Sequence, residues 1–166
     1  MIIRQETASD DEAITEVTIA AFATLEVSQQ TEQHIIRALR RAGALTLSLV
    51  AEVDGRVVGH IAFSPARVSD GTPGWYALGP VSVLPEYQRR GIGGALIEEG
   101  LTSLERLGAR GCALVGHPDY YQRFGFRRHA DLFYEGVPQE AFVVLPLGGE
   151  LPSGRVEFHE AFAAES

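Results

Sequence analysis

Residues 88 to 95 read Gln88-Arg89-Arg90-Gly91-Ile92-Gly93-Gly94-Ala95, where an apolar strand passes through a Pro85-Glu86-Tyr87 turn into an amphipathic helix. The first turn of a helix leaves backbone N–H groups without intrahelical partners and gathers partial positive charge. Gly91, Gly93 and Gly94 remove side chains where a ligand would approach the backbone, and Arg89 and Arg90 add fork-shaped donors for phosphate oxygens. Such a junction suits an anion, phosphate above all. The same residues also suit an ordinary tight turn with surface arginines. Two familiar phosphate loops do not match: there is no Gly-Lys-Ser/Thr, and the third glycine of a dinucleotide fingerprint is missing.

Gln88-Arg89-Arg90-Gly91-Ile92-Gly93 fits Q/R-x-x-G-x-G/A after the strand Val81-Ser82-Val83-Leu84, and Tyr121-Gln122-Arg123-Phe124-Gly125-Phe126 fits Y-x-x-x-G-F further along. In this order the two motifs resemble the GNAT superfamily of N-acetyltransferases. The run HPDYYQRFGFRR and the segment GRVEFHEAF are similar to a bacterial subgroup of that superfamily, the YhbS-like proteins, so the resemblance extends over nearly the whole chain.

The resemblance implies direct transfer of an acetyl, or other short acyl, group from acetyl-CoA to a primary amine. It assigns Val81, Ser82 and Val83 to the strand along the pantetheine arm, with the backbone of Val81 and Val83 pairing with the arm and the acetyl carbonyl. N–H groups of Gln88, Arg89, Arg90, Gly91, Ile92, Gly93, Gly94 and Ala95 would cradle the pyrophosphate. Tyr121 matches the family's general acid, a phenol of ordinary pKa about 10 being a proton source for a departing thiolate. The alternative for Tyr121 is core packing against Phe124 and Phe126.

The chain departs from the family pattern twice. The strand from 75 to 84 carries no Glu or Asp, and Gly116-His117-Pro118 stands where an asparagine is frequent. The base is therefore open among Glu52, His60, His117 and a water relay. The acceptor pocket is expected from residues 24 to 30 and the later strands, with Phe22, Trp75 and Tyr76 as wall or core residues. Two other classes compete: a non-catalytic acyl-CoA binding or sensor module of the same fold, and an unrelated α/β protein whose glycine-rich turn binds phosphate or nothing.

The elements that must position these groups follow from periodicity. A strand is expected over residues 2 to 6, a helix ending near Ala23, and a second helix capped by Thr31 and stopped by Gly43. Strands at 45 to 53 and 56 to 68 join through Asp54-Gly55, a strong hairpin signal. In the strand from 75 to 84, Pro80 cannot donate to a ladder and marks a bulge or a break in pairing. In the family this strand parts from its parallel neighbour and the cofactor arm enters the gap. A helix from 92 to 107, a strand from 112 to 115, a short helix from 119 to 124 and late strands from Phe126 onward and at 141 to 147 follow. The order implies an antiparallel-to-mixed sheet with helices on both faces. The resemblance makes it the GNAT α+β arrangement, largely antiparallel with one splayed parallel pair.

At 166 residues, 45% hydrophobic and 22% charged, the chain suits one domain spanning 1 to 166. No apolar run approaches the roughly 20 residues of a membrane span, and a cytoplasmic protein without membrane partners is expected. Cys112 is the only cysteine, so no internal disulfide forms, and the five histidines lack zinc-site spacing, so no metal is expected. A net charge of −8 disfavours nucleic acid and suits an amine. All basic side chains are arginine, and Arg89, Arg90, Arg123, Arg127 and Arg128 fall in the two motif segments. Homodimers are frequent in such folds, and an exchanged or shared C-terminal edge is conceivable.

Overall fold

Asp54 and Gly55 both take left-handed backbone conformations, φ 50 and φ 78, which suit a two-residue hairpin turn. They fold strand β2 (Leu47–Val53) back onto β3 (Arg56–Val68). The computed structural model describes residues 1–26 and 28–166 and builds an eight-stranded sheet around this hairpin. β1 (Ile2–Gln5) lies antiparallel to β2, and β4 (Trp75–Val83) lies antiparallel to the other side of β3. The chain then crosses over through α3 (Ile92–Arg106), which follows α1 (Asp11–Phe22) and α2 (Glu32–Arg41) in sequence, and returns as β5 (Gly111–Val115) parallel to β4. After the single helical turn α4 (Pro118–Tyr121), β6 (Leu132–Phe133) and β7 (Phe142–Pro146), the chain ends in β8 (Gly154–Phe158) and a 3-10 turn, Glu160–Ala163.

Side chains alternate across a strand, and β2 uses both faces. Leu47, Leu49 and Ala51 pack in one cluster with Leu96, Ile97, Leu101 and Leu104 of α3. Val50 between them packs with Ile14 of α1 and Ile36 of α2. The fold is therefore α+β, with helices on both faces and β4–β5 as the one parallel pair of the main sheet path.

The late elements differ from expectation. The polar run from Arg127 to His129 forms only an isolated bridge, Arg127 to Val144, in place of a strand, because it offers no alternating apolar face. The segment after the Gly148–Gly149 turn is a strand: β8 pairs with the far end of β3, Ala66 opposite Phe158 and Val68 opposite Val156. That C-terminal edge is filled within the chain itself.

His60 is fully buried on β3. Ser48 has one hydroxyl proton and gives it to Glu6, whose carboxylate also accepts from Arg40. The contact of 2.8 Å between Ser48 Oγ and His60 Nε2 is therefore donated by the imidazole, leaving Nδ1 as a buried acceptor without partner. Burial, and secondarily the Arg40 charge, hold the His60 pKa down to about 3. Between that value and the unfolded value of 6.5, the unfolded chain binds a proton that the folded chain does not, so stability rises with pH across this window. The slope from this one group is at most about 1.4 kcal/mol per pH unit. Urea denaturation between pH 7.5 and 4.5 should therefore show a steeper loss of stability in the wild type than in His60→Asn; parallel losses would remove His60 from the account.

Candidate active site

β4 and β5 pair over only three positions, Trp75 with Gly111, Tyr76 with Cys112 and Ala77 with Ala113. Beyond them the register of β4 on β3 jumps from Leu78–Phe63 to Val81–Ile61, so Gly79 and Pro80 together oppose Ala62. This is the bulge that Pro80 signalled, since a prolyl nitrogen has no proton for a ladder. Past it, β4 keeps β3 on one side and, among the described residues, pairs with no strand on the other.

The direction of the β4 backbone beyond the bulge follows from one hydrogen bond. Leu84 N–H donates to the Val58 carbonyl at 2.9 Å, so Leu84 and Ser82 turn their polar groups toward β3. By antiparallel alternation, Val81 and Val83 turn theirs away, into the gap. The Gln88 side-chain amide donates to the outward Val83 carbonyl at 3.0 Å, as this orientation requires.

The Gln88–Gly94 loop closes one end of the gap. Arg89 and Gly91 both have positive φ, 63 and 82, and turns of this kind aim successive N–H groups into a concavity. N–H groups from Arg89 through Gly94 donate to no acceptor among the described residues, whereas Ala95 N–H makes the first helical bond, to the Gly91 carbonyl at 3.0 Å. A Cβ at Gly93 would stand 3.6 Å from the Tyr120 hydroxyl and 3.8 Å from Val83 Cγ2, so glycine keeps this floor low.

These groups line a cleft of about 590 Å³. Val81, Val83, Gln88, Arg89, Gly91, Ile92, Gly93, Gly94 and Tyr121, all named from sequence, meet there with Arg123, Tyr120, and Ala21, Phe22 and Leu25 from the end of α1 and beyond. Ser82, Arg90 and Ala95 adjoin the cleft without lining it: Ser82 is buried, Arg90 lies 5.1 Å from the Tyr87 ring centre, and Ala95 is within the helix. Of the remaining motif arginines, Arg123 stacks on Tyr120 at 4.6 Å and lines the cleft, while Arg127 and Arg128 do not.

A second cavity of about 430 Å³ lies against the bulge and the end of β5, lined by Leu78 to Val81, Leu114, Val115 and aromatic residues of the late elements. It shares Phe22, Val81 and Tyr121 with the cleft. Tyr121 thus stands where the two meet. Its ring is wedged edge-on against Tyr120, with centroids 5.0 Å apart, and against Phe126 at 6.0 Å. Gly116 makes room for it, because a Cβ there would come within 2.9 Å of Tyr121 Cε2. Burial, with a smaller contribution from Tyr120, pushes the Tyr121 phenol up to about 12.

Three residues weighed as bases line neither cavity. Glu52 accepts from Arg4 at 3.2 Å on the β1 side of the sheet, His60 is sealed under it, and His117 is exposed ahead of α4. Trp75 is core at 2% exposure and Tyr76 packs against the main core, leaving Phe22 as the wall residue of that trio. In the stretch from 24 to 30, Leu25 lines the cleft, Ser28 binds Glu32, and Val27 lies outside the described residues. Glu32, which lines the second cavity, was missed from sequence. Its only signal was its place in the first turn of α2, just after the stretch expected to bind the acceptor.

Residues 12–126 match the model of the acetyltransferase (GNAT) family. The chain belongs to this family. It is 35% identical to the uncharacterized N-acetyltransferase YhbS of Escherichia coli K12 over 98% of both chains. Its structure is similar to that of YhbS from Escherichia coli in complex with CoA, with a TM-score of 0.89, 33% identity, and coverage of 99% of this chain and 93% of that one. It is also similar to a GNAT family acetyltransferase from Brucella melitensis in complex with acetyl-CoA, with a TM-score of 0.87, 50% identity and 97% of each chain covered. Among the described residues of this GNAT protein, no group of His, Cys, Asp and Glu could hold a metal ion, and no helix is long and apolar enough to cross a membrane.

The raised phenol gives a direct test of the junction. Spectrophotometric titration of the wild type against Tyr121→Phe should differ by one phenolate that appears only above about pH 11; a difference completed near pH 10 would mean that the Tyr121 hydroxyl is well solvated.

Proposed function

We propose that the chain transfers an acetyl group from acetyl-CoA directly to a primary amine, with the thioester in the 590 Å³ cleft and the amine in the adjoining 430 Å³ cavity. The observation that carries this reading is that the two cavities meet at Val81 and Tyr121, in the gap that β4 leaves when it parts from β5. The relatives that bind acetyl-CoA and CoA support the donor.

The residues present fit that donor. Free N–H groups from Arg89 through Gly94, aided by the α3 dipole and the Arg89 and Arg123 guanidiniums, receive the pyrophosphate. Ala95 closes the helical turn that aims those groups, and Arg90, packed on Tyr87, stiffens the loop. The outward backbone of Val81 and Val83 extends the pantetheine arm as an extra strand would, and Ser82 keeps β4 on β3 while it does so. A Val81 N–H directed at the acetyl oxygen stabilises the charge that develops there.

Over one cycle the nitrogen–carbon bond forms as the carbon–sulfur bond breaks. The acceptor ammonium gives up two protons, the sulfur gains one, and one is released to solvent. Tyr121 serves the sulfur, and its raised pKa decides how. The burial that pushes the phenol up to about 12 disfavours a phenolate, so full proton transfer to the thiolate is unfavourable. Tyr121 therefore acts as a hydrogen-bond donor while charge builds on sulfur, and proton transfer is late. Because it stays protonated, its ionisation imposes no alkaline limit on activity below about pH 11.

Both cavities are lined by residues of one chain. The absence of a carboxylate on β4 favours, as a second reading, a module that binds acyl-CoA without turnover.

Calorimetric titration should show acetyl-CoA and CoA binding to the wild type. Gly93→Glu, which sets a carboxylate in the cleft, should weaken both by about a hundredfold or more, roughly 3 kcal/mol. Wild-type protein that binds neither would end the acyl-CoA reading. In a thiol-release assay against a panel of primary amines, Tyr121→Phe should lower kcat by about a hundredfold with acetyl-CoA affinity nearly unchanged. Binding without release for any amine would favour the non-catalytic module.

A further inference from the structure

The second cavity is chemically one-sided. Phe22, Tyr134, Phe158 and Phe162 supply aromatic wall, with Tyr134 and Phe158 centroids 4.6 Å apart and Phe158 and Phe162 5.2 Å apart. Its volume of about 430 Å³ falls in the small-molecule range, about 300–1,000 Å³. Apart from the phenols of Tyr121 and Tyr134, its one ionisable lining group is Glu32, and no Arg, Lys or His lines it among the described residues. Glu32 is a fixed group. Ser28 Oγ lies 2.7 Å from one carboxylate oxygen and 2.9 Å from the other, and the residue opens α2, whose N-terminal dipole favours a carboxylate.

We propose that this cavity selects a primary amine borne on a compact aromatic body without a carboxylate or a second cationic group, and that Glu32 determines that specificity by pairing with the incoming ammonium. The proposal deepens the acetyl-transfer reading and rests on its assignment of the second cavity to the acceptor. An ammonium entering this space meets one anion, and an aryl group meets the aromatic wall. A carboxylate on the ligand would meet Glu32 and find no cation. A second ammonium would lie beside aromatic rings with no carboxylate left to pair with it. A charge left unpaired against an apolar wall is unfavourable, so both classes bind more weakly. Glu32 here is a binding group: it draws the ammonium in and holds it beside Tyr121, and solvent receives the proton lost before attack.

The test is calorimetric titration of 2-phenylethylamine, phenylalanine and spermidine into protein without nucleotide and into protein saturated with CoA. The wild type and Glu32→Gln are compared, and acetyl-CoA affinity is measured on both. The substitution preserves shape and can still accept from Ser28. Expected are 2-phenylethylamine binding at least about tenfold tighter than the other two, a rise of about tenfold in its Kd in Glu32→Gln, and unchanged acetyl-CoA affinity, the tenfold corresponding to about 1.4 kcal/mol. Failure of 2-phenylethylamine to bind, phenylalanine or spermidine binding equally well, or undiminished binding by Glu32→Gln would each overturn the proposal. Amine recognition that depends on Glu32 in a protein that fails to bind acetyl-CoA would uphold the cavity's specificity and sink the acetyl-transfer reading instead.

Discussion

The site depends on where β4 stops pairing with β5. A strand in a sheet interior has both edges occupied, and its backbone groups are then unavailable to anything else. β4 is held on both sides only as far as Ala77, and the bulge at Gly79 and Pro80 shifts its register on β3 without detaching it. The result is a rigid strand with one free edge inside the protein. Beyond Ala77 β5 no longer pairs with β4, and both cavities open beside Tyr121 in the space between them. With β3 also lost, the free edge would have no fixed direction. The long β3, paired in turn with β2, β4 and β8, is what allows β4 to be open and rigid at once.

The loop and the tyrosine are subordinate to that geometry, and each is supported by glycine for a different reason. Gly91 lets the chain turn left-handed ahead of α3, leaving the N–H groups before Ala95 unspent. Gly116 acts by absence of bulk, letting the Tyr121 ring settle into the gap that β5 has vacated. The burial that fixes this ring also raises its pKa, so positioning and acidity oppose each other. The structure resolves this in favour of position: a phenol that keeps its proton is a dependable donor and a weak acid.

The parts of this site that were legible in sequence are those written in local residues. The Gln88–Gly94 loop announces itself because glycines, arginines and a helix start are contiguous. Pro80 signals the bulge because a missing N–H is a property of one residue. Tyr121 stands out through its spacing from Gly125 and Phe126. Glu32 was not legible, because a glutamate in the first turn of a helix has a sufficient local explanation, and its place at a cavity is set by packing of α2 against distant elements. His60 illustrates the reverse. A histidine invites a chemical role, yet only the fold shows it sealed beneath Ser48 and Glu6. β8 was hidden for a related reason, since a short strand after a turn-rich break is recognisable only from the end of β3 that it covers.

The wall of the second cavity has a further consequence. Phe158 lies on β8 and Phe162 on the 3-10 turn after it, far in sequence from the Gln88–Gly94 loop. The second cavity thus takes part of its wall from a late segment of the chain that the cleft does not use. Substitutions in the late segment can reshape what the cavity accepts without touching the Gln88–Gly94 loop. This architecture leaves one cavity free to drift at its periphery while the lining of the cleft is held.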